Sequence, residues 1–278
     1  MSVLDFLYNT IPGRIMLKPL ASRSLSKAVG CMMDRRVSKL FIRPFVKNNN
    51  IDISDYDLSG VKSFNTFFYR PIKEGKRVYC KEDDAFAAPC DGLLKVYKIN
   101  DDTVLDVKQS SFTIESLLRS KNLAKHYKDG LCLVFRLCVD NYHRYSYVES
   151  GVKSCSRFIP GVLHTVRPVA LETRPVFIEN CREFCLIKTG NIGTVVQMEV
   201  GAMLVGKITN NKKGPGEVNR GAEKGYFEYG GSTIIVLLQK DKVEMDEKII
   251  EATEKGIETP VKMGEKIGSV IISEKGDR

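Results

Sequence analysis

Three runs of apolar, β-branched residues constrain this chain most: residues 131–139 (LCLVFRLCV), 193–208 (GTVVQMEVGAMLVGKI) and 233–238 (TIIVLL). Side chains of this kind pack well on a pleated, covered surface, so each run predicts a strand. Gly201 and Gly206 interrupt the second run, where a bulge or a close backbone approach would need them. The strand-like texture begins near residue 85. Residues 211–217 (NKKGPGE) read as a loop, and residues 246–255 read as one short helix. No internal repeat or low-complexity tract is present.

The first 47 residues have a different texture. Leu4, Leu7, Ile11 and Ile15, then Val37, Leu40 and Phe41, recur at helical spacing with bases between them. Pro12-Gly13 and Pro19 are expected to break the first stretch into short pieces. Nine bases stand against two acids here, so this segment carries +7 of the chain's net +9. Apolar and basic faces together fit an amphipathic helix lying on an anionic membrane surface; the same apolar stripe also suits packing against the protein's own core. No apolar run approaches the roughly 20 residues that a membrane-spanning helix requires. Nucleic acid fits the basic segment less well, because no aromatic stacking platform lies among the bases. Asn48-Asn49-Asn50 marks a boundary. The fold class expected is α+β: an N-terminal amphipathic helical segment over residues 1–50, then a mainly antiparallel β core over residues 51–278.

At 278 residues with 43% hydrophobic side chains, the chain can bury a proper core. Its eight cysteines are scattered without a CxxC pair, and no signal peptide is expected. Reduced, mostly buried thiols in a cytoplasmic setting are expected, with no metal site.

Chemistry centres on Tyr229-Gly230-Gly231-Ser232-Thr233, placed just before the third apolar run. By itself Gly-Gly-Ser-Thr is a tight turn feeding a strand. It extends, however, into a longer stretch running from Arg220 through Glu223, Gly225 and Phe227 to Thr233. Four further blocks precede it in order. They are Phe64-Asn65-Thr66-Phe67-Phe68-Tyr69-Arg70 with Lys73, Gly75 and Arg77; Ala88-Pro89-Cys90-Asp91-Gly92; Tyr142-His143-Arg144 followed by Gly161-Val162-Leu163; and Glu179-Asn180-Cys181-Arg182 with Val200-Gly201-Ala202 and Val205-Gly206. From about residue 60 to 240 the chain resembles the phosphatidylserine decarboxylase family.

The resemblance implies a self-cleaving proenzyme. Ser232 Oγ attacks the Gly231 carbonyl, the resulting ester eliminates, and the dehydroalanine left behind hydrolyses to a pyruvoyl group. The products are residues 1–231 and 232–278, which stay associated. A serine hydroxyl needs an oriented base to take its proton, and Asp91 is the acidic residue that would orient it. The pyruvoyl cofactor would form a Schiff base with phosphatidylserine, release CO2 and leave phosphatidylethanolamine. His143 is the natural donor of the proton that replaces CO2, since imidazole titrates near working pH.

One departure matters. Many members carry a second histidine three residues after the first, usually assigned as the self-cleavage base; here that position is Ser146. His143 and His164 remain as candidate bases, with His164 slightly ahead because it leaves His143 for the carbanion. The expected setting is peripheral, on the cytoplasmic face of a membrane. Alternatives are a pyruvoyl-dependent decarboxylase of a related amine-bearing lipid or free amino acid, and an uncleaved, inactive lipid-binding relative.

Overall fold

In the computed structural model, described for residues 2–100, 105–107, 110–203, 207–229 and 232–271, the chain has the α+β arrangement expected. Residues 3–48 are helical almost throughout. The first helix, Val3–Asn9, opens with a capping box in which Ser2 and Asp5 satisfy each other's backbone N–H groups. Thr10 both ends that helix and starts the next, Ile11–Leu20, by accepting from the Gly13 N–H at 3.1 Å. The break therefore falls at Thr10 and not at Pro12-Gly13. Pro12 sits in the first turn, where its missing N–H costs nothing, and Pro19 lies in the last. Gly13 lets the two helices cross, since a Cβ there would stand 2.0 Å from the Phe6 carbonyl oxygen. The helix Arg23–Met33 follows, capped by Ser22; then come a 3-10 turn, Arg36–Phe41, and the helix Ile42–Asn48.

The apolar stripe of this segment splits. Leu7, Tyr8 and Leu17 join the main hydrophobic core. Val3, Ile11, Ile15, Met16, Val37, Leu40 and Phe41 instead face outward, with Ile11 74% and Leu40 75% exposed.

Behind the helices lies a nine-stranded antiparallel sheet. Its centre is the strand Ser232–Leu238, flanked by Thr194–Val200 on one side and Leu131–Leu137 on the other. All seven residues of the central strand are buried, so both of its faces are covered. That is why the run is continuously apolar and not alternating. Arg182–Thr189 lies outside Thr194–Val200, while Gly92–Lys98 and then Thr259–Val261 lie outside Leu131–Leu137.

The second apolar run is not one strand. It stops at Val200; Gly201 donates its N–H to the Cys181 carbonyl, and Ile208–Asn210 pairs in a separate sheet with Glu223–Phe227. Gly225 permits that pairing, because a Cβ would fall 2.1 Å from the Thr209 carbonyl oxygen. Gly206 lies outside the described residues. The short helix near residue 250 spans Glu247–Glu254, capped by Asp246. All eight cysteines are free thiols, and Cys90, Cys132, Cys181 and Cys185 are buried.

Candidate active site

Ser232 is the first residue of the central strand, opposite Leu137 on one neighbour. The antiparallel register carries this row on to Gly92, which pairs with Val261 beyond. At about 4.8 Å per strand, the Gly92 backbone lies roughly 10 Å from that of Ser232. Ser232 is fully buried, and its Oγ has no hydrogen-bond partner among the described residues; the same holds for Thr233 Oγ1. A buried orphan hydroxyl costs about 1–3 kcal/mol, so each of the two calls for a reason beyond packing. Gly231 lies outside the described residues.

His143 follows the turn that leaves Leu131–Leu137, the strand facing Ser232. Asn141 shapes that turn by accepting the Cys138 N–H at 2.8 Å through its side chain. Its carbonyl stands 2.9 Å from His143 Nδ1. A carbonyl can only accept, so Nδ1 carries the proton and Nε2 holds the lone pair in the neutral ring. The imidazole is fully buried against Phe68, with ring centroids 4.0 Å apart. Phe68 also touches Tyr229 at 5.4 Å, and the Phe227 N–H donates to the His143 carbonyl at 2.9 Å. His143 thus packs against the segment that leads into Ser232.

His164 is placed differently. Tyr8 OH accepts the Thr165 N–H at 3.1 Å and lies 3.2 Å from His164 Nδ1. The other ring nitrogen lies 3.3 Å from a Glu179 carboxylate oxygen. Both nitrogens face the seam between the first helix and the core. Burial pushes Tyr8 up to about 12, and the His164 contact holds Glu179 below its usual range. No contact among the described residues brings His164 to Ser232.

Asp91 is gripped by Arg77, at 2.9 and 2.7 Å, and by the Met263 N–H at 2.9 Å. That grip, led by the Asp91 hydrogen bond, raises the Arg77 pKa. A bidentate guanidinium satisfies a carboxylate better than one imidazole N–H does, and among the described contacts Asp91 orients no histidine. It borders a cleft of about 940 Å³ that Asn141 also lines. Ser146, in place of the second histidine, is buried and donates its hydroxyl to the Pro89 carbonyl at 3.1 Å.

Other block residues turn out to be scaffold. Asn180 accepts the His164 N–H at 2.8 Å and donates to the His164 and Gly201 carbonyls at 2.9 and 2.8 Å. Fully buried Arg182 donates to four carbonyls, those of Leu117, Ile178, Asn180 and Ser116, and burial lowers it to about 10.

Sequence reasoning missed a buried ion pair beside the site. Lys224 and Glu199 meet at 2.6 Å with no exposure, and Asn210 bonds both, at 3.0 and 3.1 Å. Burial raises the Glu199 pKa, while Lys224 opposes that rise. A glutamate inside the apolar run VVQMEV was the available signal. Lys224→Met is expected to destabilise the fold by about 3–5 kcal/mol in urea unfolding, because Glu199 is left buried without its counter-ion. Adding Glu199→Leu should restore most of the loss.

Residues 64–269 match the phosphatidylserine decarboxylase family. The chain is 45% identical over 266 residues to phosphatidylserine decarboxylase proenzyme 2 of Clostridium acetobutylicum, covering 95% of this chain and 91% of that one. It is 38% identical over 275 residues to the phosphatidylserine decarboxylase proenzyme of Ruminiclostridium cellulolyticum, covering 97% and 91%. For the proenzyme of Clostridium botulinum strain Eklund 17B the figures are 37% over 274 residues, covering 97% and 93%. The class is thereby defined as a decarboxylase, a carboxy-lyase. Within it, the chain belongs to the phosphatidylserine decarboxylase family.

Proposed function

We propose that this chain cuts itself between Gly231 and Ser232, converts Ser232 to a pyruvoyl group, and decarboxylates phosphatidylserine to phosphatidylethanolamine on a membrane surface. The observation that carries this reading is the buried, unpartnered Ser232 Oγ at the head of the central strand. Its oxygen attacks the Gly231 carbonyl carbon, the C–N bond breaks, and an ester forms as the Ser232 amine is freed. Loss of the Ser232 Cα proton then expels the Gly231 carboxylate and leaves dehydroalanine. Water replaces the nitrogen, which departs as ammonia. When present, the pyruvoyl group supplies a sink for the electron pair released with CO2.

His143 does the proton work. The Asn141 carbonyl holds its proton on Nδ1, so Nε2 is the basic nitrogen. It takes the Ser232 Oγ proton in maturation and returns one to carbon in turnover. His164, engaged by Tyr8 and Glu179, packs beneath the site. Asp91 anchors the Pro89–Gly92 turn to Arg77 and to the Met263 loop. The two products stay together because the central strand is hydrogen-bonded on both sides by strands of residues 1–231.

Intact-mass measurement of the purified protein tests the reading. Two masses are expected, for residues 1–231 and for a 47-residue chain that resists N-terminal sequencing for want of an α-amine. A single uncleaved mass would refute it.

Docking rests on residues 1–50, through outward apolar side chains among the bases on the anionic, cytoplasmic face of a membrane. No helix among the described residues is long and apolar enough to cross a membrane. Each base near an anionic leaflet adds about 1 kcal/mol. Because Leu7, Tyr8 and Leu17 belong to the core, deleting the segment would damage the fold, whereas exposed positions are safe to change. Ile11→Ser, Ile15→Ser, Leu40→Ser and Phe41→Ser together are expected to lower co-sedimentation with phosphatidylglycerol vesicles at least about tenfold. Raising salt should weaken the wild-type protein further. Unchanged co-sedimentation would rule this surface out.

A further inference from the structure

Beside Tyr229, a cleft of about 700 Å³ opens under the helix Arg23–Met33. Arg23, Ser26, Lys27 and Gly30 line it at spacings of three, four and seven residues, which places them on one helix face. Gly30 borders open space, since a Cβ there would meet nothing within 4 Å. Lys207 closes the far side. A second cavity of about 320 Å³ shares Arg23 and Lys207 and reaches Gly201. Gly201 follows Val200, the partner of Thr233, so the second cavity ends next to the start of the strand that Ser232 opens.

Ser26 is fully buried, and its Oγ has no hydrogen-bond partner among the described residues. A helical serine often returns its hydroxyl to the preceding turn; this one lines the cleft and has no such bond among the described residues. Three cations, Arg23, Lys27 and Lys207, face two carboxylates, Asp34 and Glu228, which leaves the lining net +1. Both carboxylates are already engaged. Asp34 accepts from Asn65 at 2.8 Å, and Glu228 accepts from Lys207 at 2.6 Å. Lys27 and Arg23 have no ion pair among the described residues, and Arg23 lies over the Phe158 ring, 5.3 Å from its centroid. A hydroxyl donor flanked by two uncommitted cations is the donor set for one singly charged phosphate.

Resting on the function proposed above, we infer that this cleft binds the phosphodiester of the lipid headgroup, with Ser26, Arg23 and Lys27 as its donors. The same helix leads into the exposed apolar side chains of Val37, Leu40 and Phe41. A lipid can therefore keep its acyl chains in the bilayer while its headgroup enters beside Ser232.

The uncleaved Ser232→Ala chain separates this inference from turnover. In titration calorimetry it is expected to bind glycerophosphoserine. Lys27→Gln should weaken binding about tenfold, and Ser26→Ala by several-fold, with unchanged melting temperatures. Inorganic phosphate binding as tightly, with the same sensitivity, would make this a free-phosphate site and overturn the headgroup assignment. Binding indifferent to both substitutions would also overturn it. In the processed enzyme the same substitutions should raise KM for dioctanoyl phosphatidylserine and hold kcat. Wild-type activity insensitive to them removes this inference alone. Sensitive binding by a chain that neither cleaves nor decarboxylates removes the proposed function and leaves the cleft standing.

Discussion

Ser232→Ala is expected to remain a single 278-residue chain with no decarboxylase activity. The substitution deletes both the nucleophile and the oxygen whose ester must form before elimination, so no residual pathway exists. Loss of fold does not explain the result in advance. Ser232 Oγ is buried without a partner among the described residues, and removing an orphan hydroxyl is neutral or stabilising by about 1–3 kcal/mol. A denaturing gel, an intact mass and a urea midpoint read on one preparation decide the matter. Two chains from a folded Ser232→Ala protein would end the self-cleavage scheme.

The two histidines carry the second large effect. His143→Ala should block maturation, because no other described imidazole lies against the Phe227–Tyr229 segment, and added imidazole should restore part of the cleavage. His164→Ala should mature normally but lose about 1–3 kcal/mol of stability, since Tyr8 OH and Glu179 lose their partner. This reverses the preference that the sequence supports. The opposite pattern, with His164→Ala uncleaved and His143→Ala processed, would return the base role to His164. Asp91→Asn is expected to slow cleavage by loosening Arg77 and the Met263 loop. Normal cleavage in that variant would count against Asp91 having any part in activation.

The order of helical segment and sheet was legible in the sequence because burial leaves a periodic mark. Residues 233–238 are continuously apolar because both faces of their strand are covered, and no other placement suits such a run. The family was legible too, since five ordered blocks identify it where any single block is only a turn or a strand edge. The boundaries were less so. Pro12-Gly13 reads as a break but lies inside a helix, because proline is harmless in a first turn and glycine there serves a helix crossing.

The contacts of individual side chains were decided by tertiary structure. A histidine's chemistry depends on which groups meet its two nitrogens, and for His164 one of those groups comes from a distant part of the chain. Tyr8 is 156 residues from His164, whereas the carbonyl facing His143 Nδ1 is local, two residues back at Asn141. Asp91 reads as a partner for a base, yet Arg77 claims it through a bidentate geometry no spacing rule reveals. The Lys224–Glu199 pair shows the same limit, because a strand pattern says that a charge is buried but not what neutralises it. Sequence determines which residues must be inside, through hydrophobic periodicity; which of them face one another, and hence which hold protons or anions, is settled only when separated strands are brought into register.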